Sequence, residues 1–157
     1  MRCFRCAPLT LALFFAPSVL LPASPATPNF TGTWQLDPAH NTVEEGKTIT
    51  YDIKDAAGKI TFKRVVREKD GKEVTSQFTC AIGGDQCEFD DGGHKAKVSL
   101  WYNGSALMIL KTEGPKEEAV TQWKLELSSD GKTLNIEYTH VDPPAEKAED
   151  LVFKKAS

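Results

Sequence analysis

The sequence predicts an all-β domain, an antiparallel up-and-down barrel of eight or nine strands, on three observations. Apolar and polar residues alternate with a period of two in nearly every segment after residue 28, the pattern of a strand with one buried face. Turn signals separate these segments at short and regular spacing. No segment has the periodicity of an amphipathic helix of ordinary length, and successive hairpins favour a closed barrel without exposed sheet edges.

The strands are predicted from nine alternating segments, over residues 32–36, 47–54, 59–68, 73–80, 95–102, 105–112, 118–127, 132–140 and 146–155. Asp70-Gly71, Asn103-Gly104 and Asp130-Gly131 suit two-residue hairpin turns, because these residues accept positive φ angles. The segment 105–112 is apolar on both faces. We therefore expect it to be buried on both sides, or to have an outer face that something covers.

The first 26 residues have the order of a secretory signal peptide. Two arginines precede an apolar run over residues 7–21, and Ser24 and Ala26 occupy the −3 and −1 positions of a cleavage site. A membrane-spanning helix needs roughly 20 apolar residues, whereas this run is shorter and interrupted by prolines. We expect cleavage after Ala26, no membrane anchor afterwards, and a lone barrel domain over residues 27–157 that is periplasmic or secreted.

The charge balance excludes some classes of partner. The whole chain of 157 residues has a net charge of −3, and residues 1–26 contain two arginines and no acidic residue, so cleavage leaves 131 residues with a net charge of −5. A chain of this size buries enough surface for one hydrophobic core. Its mildly acidic surface argues against a nucleic acid or an anionic membrane as partner.

Cys80 and Cys87 are the two cysteines that remain after cleavage. An exported protein enters an oxidising compartment, where an even pair of cysteines usually forms a disulfide. The six residues between them include Gly83-Gly84, which suits a turn. The alternatives are a redox pair, which is normally Cys-x-x-Cys, and a metal site, for which His94 is the nearby imidazole. A structural disulfide is the favoured interpretation.

A short motif carries a family resemblance. The segment Asn29-Phe30-Thr31-Gly32-Thr33-Trp34-Gln35-Leu36 opens the first strand, and its Gly-x-Trp resembles the opening motif of the lipocalin superfamily. The whole segment 29–36, together with Ser129-Asp130-Gly131-Lys132-Thr133-Leu134, resembles segments of small secreted bacterial proteins of unknown function. These proteins share an N-terminal Gly-x-Trp-x-Leu strand, and the resemblance implies a lipocalin-like barrel.

The resemblance also implies structural roles for two residues of the motif. Gly32 would permit close approach of a neighbouring group, and Trp34 would close one end of the barrel as a large apolar plug. In lipocalins an arginine of a late strand often packs over this tryptophan. Here the last strand offers Lys154 and Lys155 instead.

No arrangement of residues typical of catalysis is found, so we expect no enzymatic activity, no metal and no cofactor. The three histidines are dispersed, and the chain contains neither a Gly-x-Ser-x-Gly elbow nor a phosphate-binding glycine loop. Four acidic residues lie over 85–91. They could bind calcium through carboxylate oxygens, but a solvated acidic turn is the favoured interpretation.

The barrel interior is the remaining candidate for a site. An arginine among inward-facing aromatic residues could pair with the carboxylate of a fatty acid-like ligand. It could instead sit near a barrel end and reach solvent. The candidate ligand-binding residues are Phe62, Arg64, Phe78, Tyr102, Trp123 and Tyr138.

Two functions of different classes remain open. The first is an exported domain that binds a small apolar or amphipathic molecule, which predicts an internal pocket of roughly several hundred cubic ångströms. The second is an envelope interaction or inhibitor domain that acts through its outer surface. The second predicts an interior filled by Phe62 and Trp123, and the apolar strand over 106–110 would supply an exposed contact face.

Overall fold

A computed structural model describes residues 27–113 and 119–156, so the predicted signal peptide lies outside the described residues. The described residues form one closed antiparallel barrel. Its ten strands are β1 (Gly32–Leu36), β2 (Thr48–Ala56), β3 (Lys59–Arg67), β4 (Glu73–Ala81), β5 (Cys87–Asp91), β6 (His94–Asn103), β7 (Ala106–Glu113), β8 (Ala119–Leu127), β9 (Thr133–Asp142) and β10 (Glu149–Lys155). Within this part of the chain, no helix is long and apolar enough to cross a membrane.

The predicted up-and-down topology is confirmed. Each strand pairs with its neighbours in sequence, and β1 pairs with β10 to close the barrel. The strand count is ten rather than eight or nine, because the acidic segment predicted to be a turn contains β5. Three of the five residues of β5 are acidic, and acidic residues are uncommon in strands. Phe89, at the centre of β5, is nonetheless fully buried and pairs with Phe78 of β4.

One end of the barrel is closed by the residues that precede and begin β1. The Trp34 side chain is fully buried, and its Nε1–H donates a hydrogen bond of 3.0 Å to the carbonyl oxygen of Phe30. The Phe30 ring in turn stacks on the Tyr102 ring at a centroid distance of 6.4 Å. We call this the Trp34 end.

The cation over Trp34 is a lysine of the last strand. Lys155 Nζ lies 5.2 Å from the centroid of the Trp34 ring, within the range of a cation–π interaction. A Cβ atom at Gly32 would lie 2.7 Å from Lys155 Cε. A glycine therefore leaves the space that this lysine uses to reach the indole.

The outer face of β7 does not form the exposed apolar surface that the interaction hypothesis expects. Ala106 and Met108 are only 3% and 6% exposed. Met108 pairs in register with Trp101 of β6 and Lys124 of β8, and long side chains at such positions cover their neighbours. Among the described residues, Val141 is the large apolar side chain that is exposed.

The predicted disulfide between Cys80 and Cys87 is present, with the two Cα atoms 5.6 Å apart. It joins the end of β4 to the start of β5. The ladder between these two strands has three paired positions, whereas β3 and β4 pair over nine. The disulfide therefore supplements one of the shortest ladders of the barrel.

Candidate ligand-binding site

The middle of the barrel is filled by four aromatic side chains, Phe62, Phe78, Phe89 and Trp123, which we call the aromatic cluster. Phe62 of β3 and Trp123 of β8 project from opposite walls, and their ring centroids are 5.7 Å apart. The Phe89 ring lies 5.8 Å from Trp123, and Phe62 stacks on Phe78 at 5.1 Å. These are contact distances for aromatic pairs. The packing matches the filled interior that the interaction hypothesis predicts.

A group of polar side chains lies inside the barrel beyond the aromatic cluster, on the side away from the Trp34 end. Tyr51, Arg64, Ser76 and Asp91 are successive register partners across β2, β3, β4 and β5. Arg64 Nη2 donates to Ser76 Oγ at 3.1 Å and to Asp91 Oδ1 at 3.0 Å. Ser76 Oγ donates to the same Asp91 oxygen at 2.7 Å.

Lys111 of β7 brings a second cation to this group. Its Nζ donates to Asp91 Oδ2 and to Glu113 Oε1, and it lies 5.5 Å from the centroid of the Phe89 ring. The Lys111 and Asp91 side chains are 12% and 17% exposed, whereas Glu113 is 45% exposed. Two cations therefore face one largely buried carboxylate, and the second carboxylate lies in solvent at the rim. The two cations are thus balanced by two carboxylates, of which Asp91 is the more buried.

The Asp91 carboxylate is ionised because of its partners. Burial alone would raise the pKa of Asp91, but the hydrogen bonds from Lys111 and Ser76 and the charges of Lys111 and Arg64 hold that pKa below its usual range. The ionised form stabilises the folded state at neutral pH. That contribution is lost only as the pH falls below the ordinary carboxyl pKa of 3.8.

A pair of tyrosine hydroxyls completes the group. Tyr51 Oη and Tyr138 Oη share a short hydrogen bond, and the Tyr138 ring lies 5.2 Å from the Trp123 ring. Burial raises the pKa of Tyr51, and burial together with the neighbouring Tyr51 raises the pKa of Tyr138 well above 10.0. Both hydroxyls therefore keep their protons and can donate hydrogen bonds. We call Tyr51, Arg64, Ser76, Asp91, Lys111 and Tyr138 the polar cluster.

The raised tyrosine pKa values predict a loss of stability in alkali. A group whose pKa is higher in the folded state contributes fully to stability below its unfolded-state pKa. That contribution is lost as the pH rises further. We expect the urea midpoint to fall between pH 9 and pH 11, and to fall less in Tyr138→Phe. Unfolding followed by circular dichroism at both pH values measures this. Equal falls in the two proteins would contradict the assignment.

Two buried donors, one in the polar cluster and one in the aromatic cluster, lack an acceptor among the described residues. They are Arg64 Nε and Trp123 Nε1. A buried donor that loses its hydrogen bonds to water without replacing them costs about 1–3 kcal/mol. By contrast, Trp34 Nε1 has its acceptor.

The structure brings together five of the six candidate ligand-binding residues. Phe62, Phe78 and Trp123 lie in the aromatic cluster, and Arg64 and Tyr138 lie in the polar cluster beside it. Tyr102 lies at the Trp34 end, where its hydroxyl donates to Asp55 Oδ2 at 3.0 Å. Burial and the nearby Asp55 raise the pKa of Tyr102.

Asp91 and Lys111 belong to the site although no sequence pattern predicts them there. Asp91 falls in the segment predicted to be a solvated acidic turn, and Lys111 has no signal except its position two residues after Ile109 on the inward side of β7. Glu88 and Asp90, the acidic neighbours of Asp91, alternate with Phe89 and face outward. The described residues contain no group of three or more His, Cys, Asp or Glu side chains that could hold a metal ion.

Comparison with solved structures identifies barrels of the same architecture. A protein described as "REP1-NXSQ fatty acid transporter" superposes with a TM-score of 0.60 at 14% identity, over 82% of this chain and 96% of that one. Secretory abundant heat soluble protein 4 from Ramazzottius varieornatus superposes with a TM-score of 0.61 at 14% identity, over 83% of this chain and 98% of that one.

A fatty-acid-binding protein isolated from Manduca sexta gives a TM-score of 0.54 at 12% identity, over 80% of this chain and 98% of that one. No family model matches the sequence, and no curated protein matches it either. At these identities the likeness concerns the fold. The chain folds as a closed antiparallel barrel with lipocalin-like architecture.

Proposed function

We propose that this protein binds a compact amphipathic acid, whose acidic group enters the barrel and lies against Arg64 and Lys111. The observation that carries the proposal is the presence inside the barrel of two partly buried cations, Arg64 and Lys111, together with buried donors that lack an acceptor among the described residues. A ligand carboxylate supplies acceptors for these donors, and a charge-assisted hydrogen bond to arginine is strong and directional. The fatty acids named for two structural neighbours belong to the same chemical class.

The position of the aromatic cluster sets the size of the ligand. The cluster fills the barrel below the polar cluster, so a chain that occupies the whole interior would have to displace its rings. Above the polar cluster, Ile49, Val66 and Val74 are register partners and are partly exposed. The apolar part of the ligand would lie against these three side chains with its acidic group pointing inward.

The interaction hypothesis stays as the second candidate, because the filled centre of the barrel favours it. Ala106 and Met108 of its expected contact face over 106–110 are buried, however, so that face does not supply the partner site. The two candidates differ in a simple respect. A solid-cored interaction domain has no affinity for a small acid inside the barrel.

The proposal includes export and excludes catalysis. The residue order of the first 26 positions supports a cleaved signal peptide, and the polar cluster is assigned a binding role only. The protein recovered from its source is expected to have the mass of a chain that begins at Thr27. A mass that includes residues 1–26 would contradict export by cleavage.

Titration calorimetry with decanoate tests the binding site. We expect Arg64→Gln to weaken decanoate binding by about tenfold or more, because a hydrogen bond to a charged group contributes about 1.5–3 kcal/mol. Arg67→Gln is the matched control, since Arg67 lies on the same strand and pairs with Glu73 in solvent. Equal affinity in Arg64→Gln and the wild type would contradict the site. No binding to the folded wild type would favour the interaction domain.

A further inference from the structure

We infer that Trp123 determines ligand specificity, as a neutral donor that shares the acidic group of the ligand with Arg64. This inference rests on the proposed function and adds a residue to it. Trp123 is 2% exposed, and its Nε1–H is one of the buried donors without an acceptor among the described residues. A tryptophan at this position buries an N–H group, which a phenylalanine would not.

The surroundings of Trp123 place this donor beside the polar cluster. Trp123 of β8 is the register partner of Tyr138 of β9, and the two rings lie 5.2 Å apart. The Tyr138 hydroxyl bonds to Tyr51, whose register partner is Arg64. The Trp123 ring thus neighbours one tyrosine of this pair and the Arg64 side chain neighbours the other, while Arg64 Nε and Trp123 Nε1 have no acceptor in the described part of the chain.

The tyrosine pair adds a donor of the same kind. When two hydroxyls share one hydrogen bond, one of the two protons remains available for another acceptor. The raised pKa values of Tyr51 and Tyr138 keep both protons in place at neutral pH. Three kinds of donor therefore meet here, a guanidinium, a phenol and an indole, and an acceptor with two or more oxygens would satisfy them together.

This arrangement predicts how the site discriminates. A site with buried donors rejects a ligand that lacks the acceptor, because binding then leaves those donors unpaired. A carboxylate supplies two oxygens with several acceptor positions, whereas an alcohol supplies one oxygen and brings a donor of its own. We expect the wild type to prefer decanoate over decanol, and Trp123 to contribute to that preference.

The test measures the tryptophan indole N–H signals by nuclear magnetic resonance in the full mature protein. The signal of Trp123 is assigned by its loss in Trp123→Phe. On addition of decanoate we expect this signal to move downfield, as an N–H does on forming a hydrogen bond, and decanol to move it less. The Trp34 signal, already hydrogen-bonded to Phe30, and the signal of Trp101 on β6 serve as internal controls.

Calorimetry provides the affinity arm of the test. We expect Trp123→Phe to weaken decanoate binding by about three- to tenfold, and Trp101→Phe to leave it unchanged. If decanoate binds and the Trp123 signal does not move, the inference is wrong while the proposed function stands. If decanoate does not bind to the folded wild type, the proposed function fails and the inference falls with it.

Discussion

Replacing Phe62 with alanine is expected to lower the free energy of unfolding by about 3–5 kcal/mol, the range for a large aromatic side chain removed from a packed core. The Phe62 side chain is 1% exposed and contacts rings on both walls of the barrel, those of Tyr51, Phe78 and Trp123. Its removal leaves a cavity at the point where the two walls meet. Urea unfolding followed by circular dichroism measures the loss.

Thr61→Ala is the matched control for this substitution. Thr61 precedes Phe62 on β3, faces outward, and shares one exposed hydrogen bond of 3.1 Å with Thr79. An exposed substitution of this kind changes stability by about 0.5 kcal/mol. A Phe62→Ala protein as stable as Thr61→Ala would contradict the filled centre, and it would reopen the hypothesis of a wide ligand pocket.

Loss of the disulfide is expected to lower the free energy of unfolding by about 2–3 kcal/mol, as the loop-entropy relation gives for so short a loop. Cys80 is buried and lies at the end of β4, and Cys87 begins β5. The bond also holds two strands that pair over only three positions. Unfolding in the presence and absence of a phosphine reductant measures the contribution.

The double variant Cys80→Ala, Cys87→Ala is the control for the reductant. It should show the lower stability under both conditions, because it has no disulfide to reduce. If the reductant destabilises the double variant as much as the wild type, the effect is not due to this disulfide. An unchanged unfolding midpoint in the reduced wild type would show that the β4–β5 ladder needs no covalent support.

The architecture was predictable because each strand obeys a local rule. Alternation along β2, β3 and β9 places Tyr51, Phe62 and Ile136 inside, and all three are buried there. Asp-Gly and Asn-Gly pairs mark the turns before β4, β7 and β9. β5 was not predictable in this way because its strand character depends on long-range contacts, namely the pairing of Phe89 with Phe78 and the enclosure of Asp91 by two cations.

The candidate site was predictable only in part for the same reason. Arg64 stands out in sequence as a cation on an apolar face, but the number of charges around it depends on register. β4 and β5 pair so that Ser76 meets Asp91, and Lys111, which follows Arg64 by 47 residues in the chain, comes from β7. The filling of the barrel by Phe62 and Trp123 likewise depends on how the opposite walls approach each other.

A crystal structure of the protein grown with saturating decanoate would show whether an acidic group binds inside the barrel at the polar cluster. We expect electron density for a carboxylate within hydrogen-bonding distance of Arg64 and Lys111, with the alkyl chain against Ile49, Val66 and Val74. An interior in which the polar cluster keeps its present hydrogen bonds and holds no decanoate would contradict binding at this site, as would decanoate bound only on the outer surface.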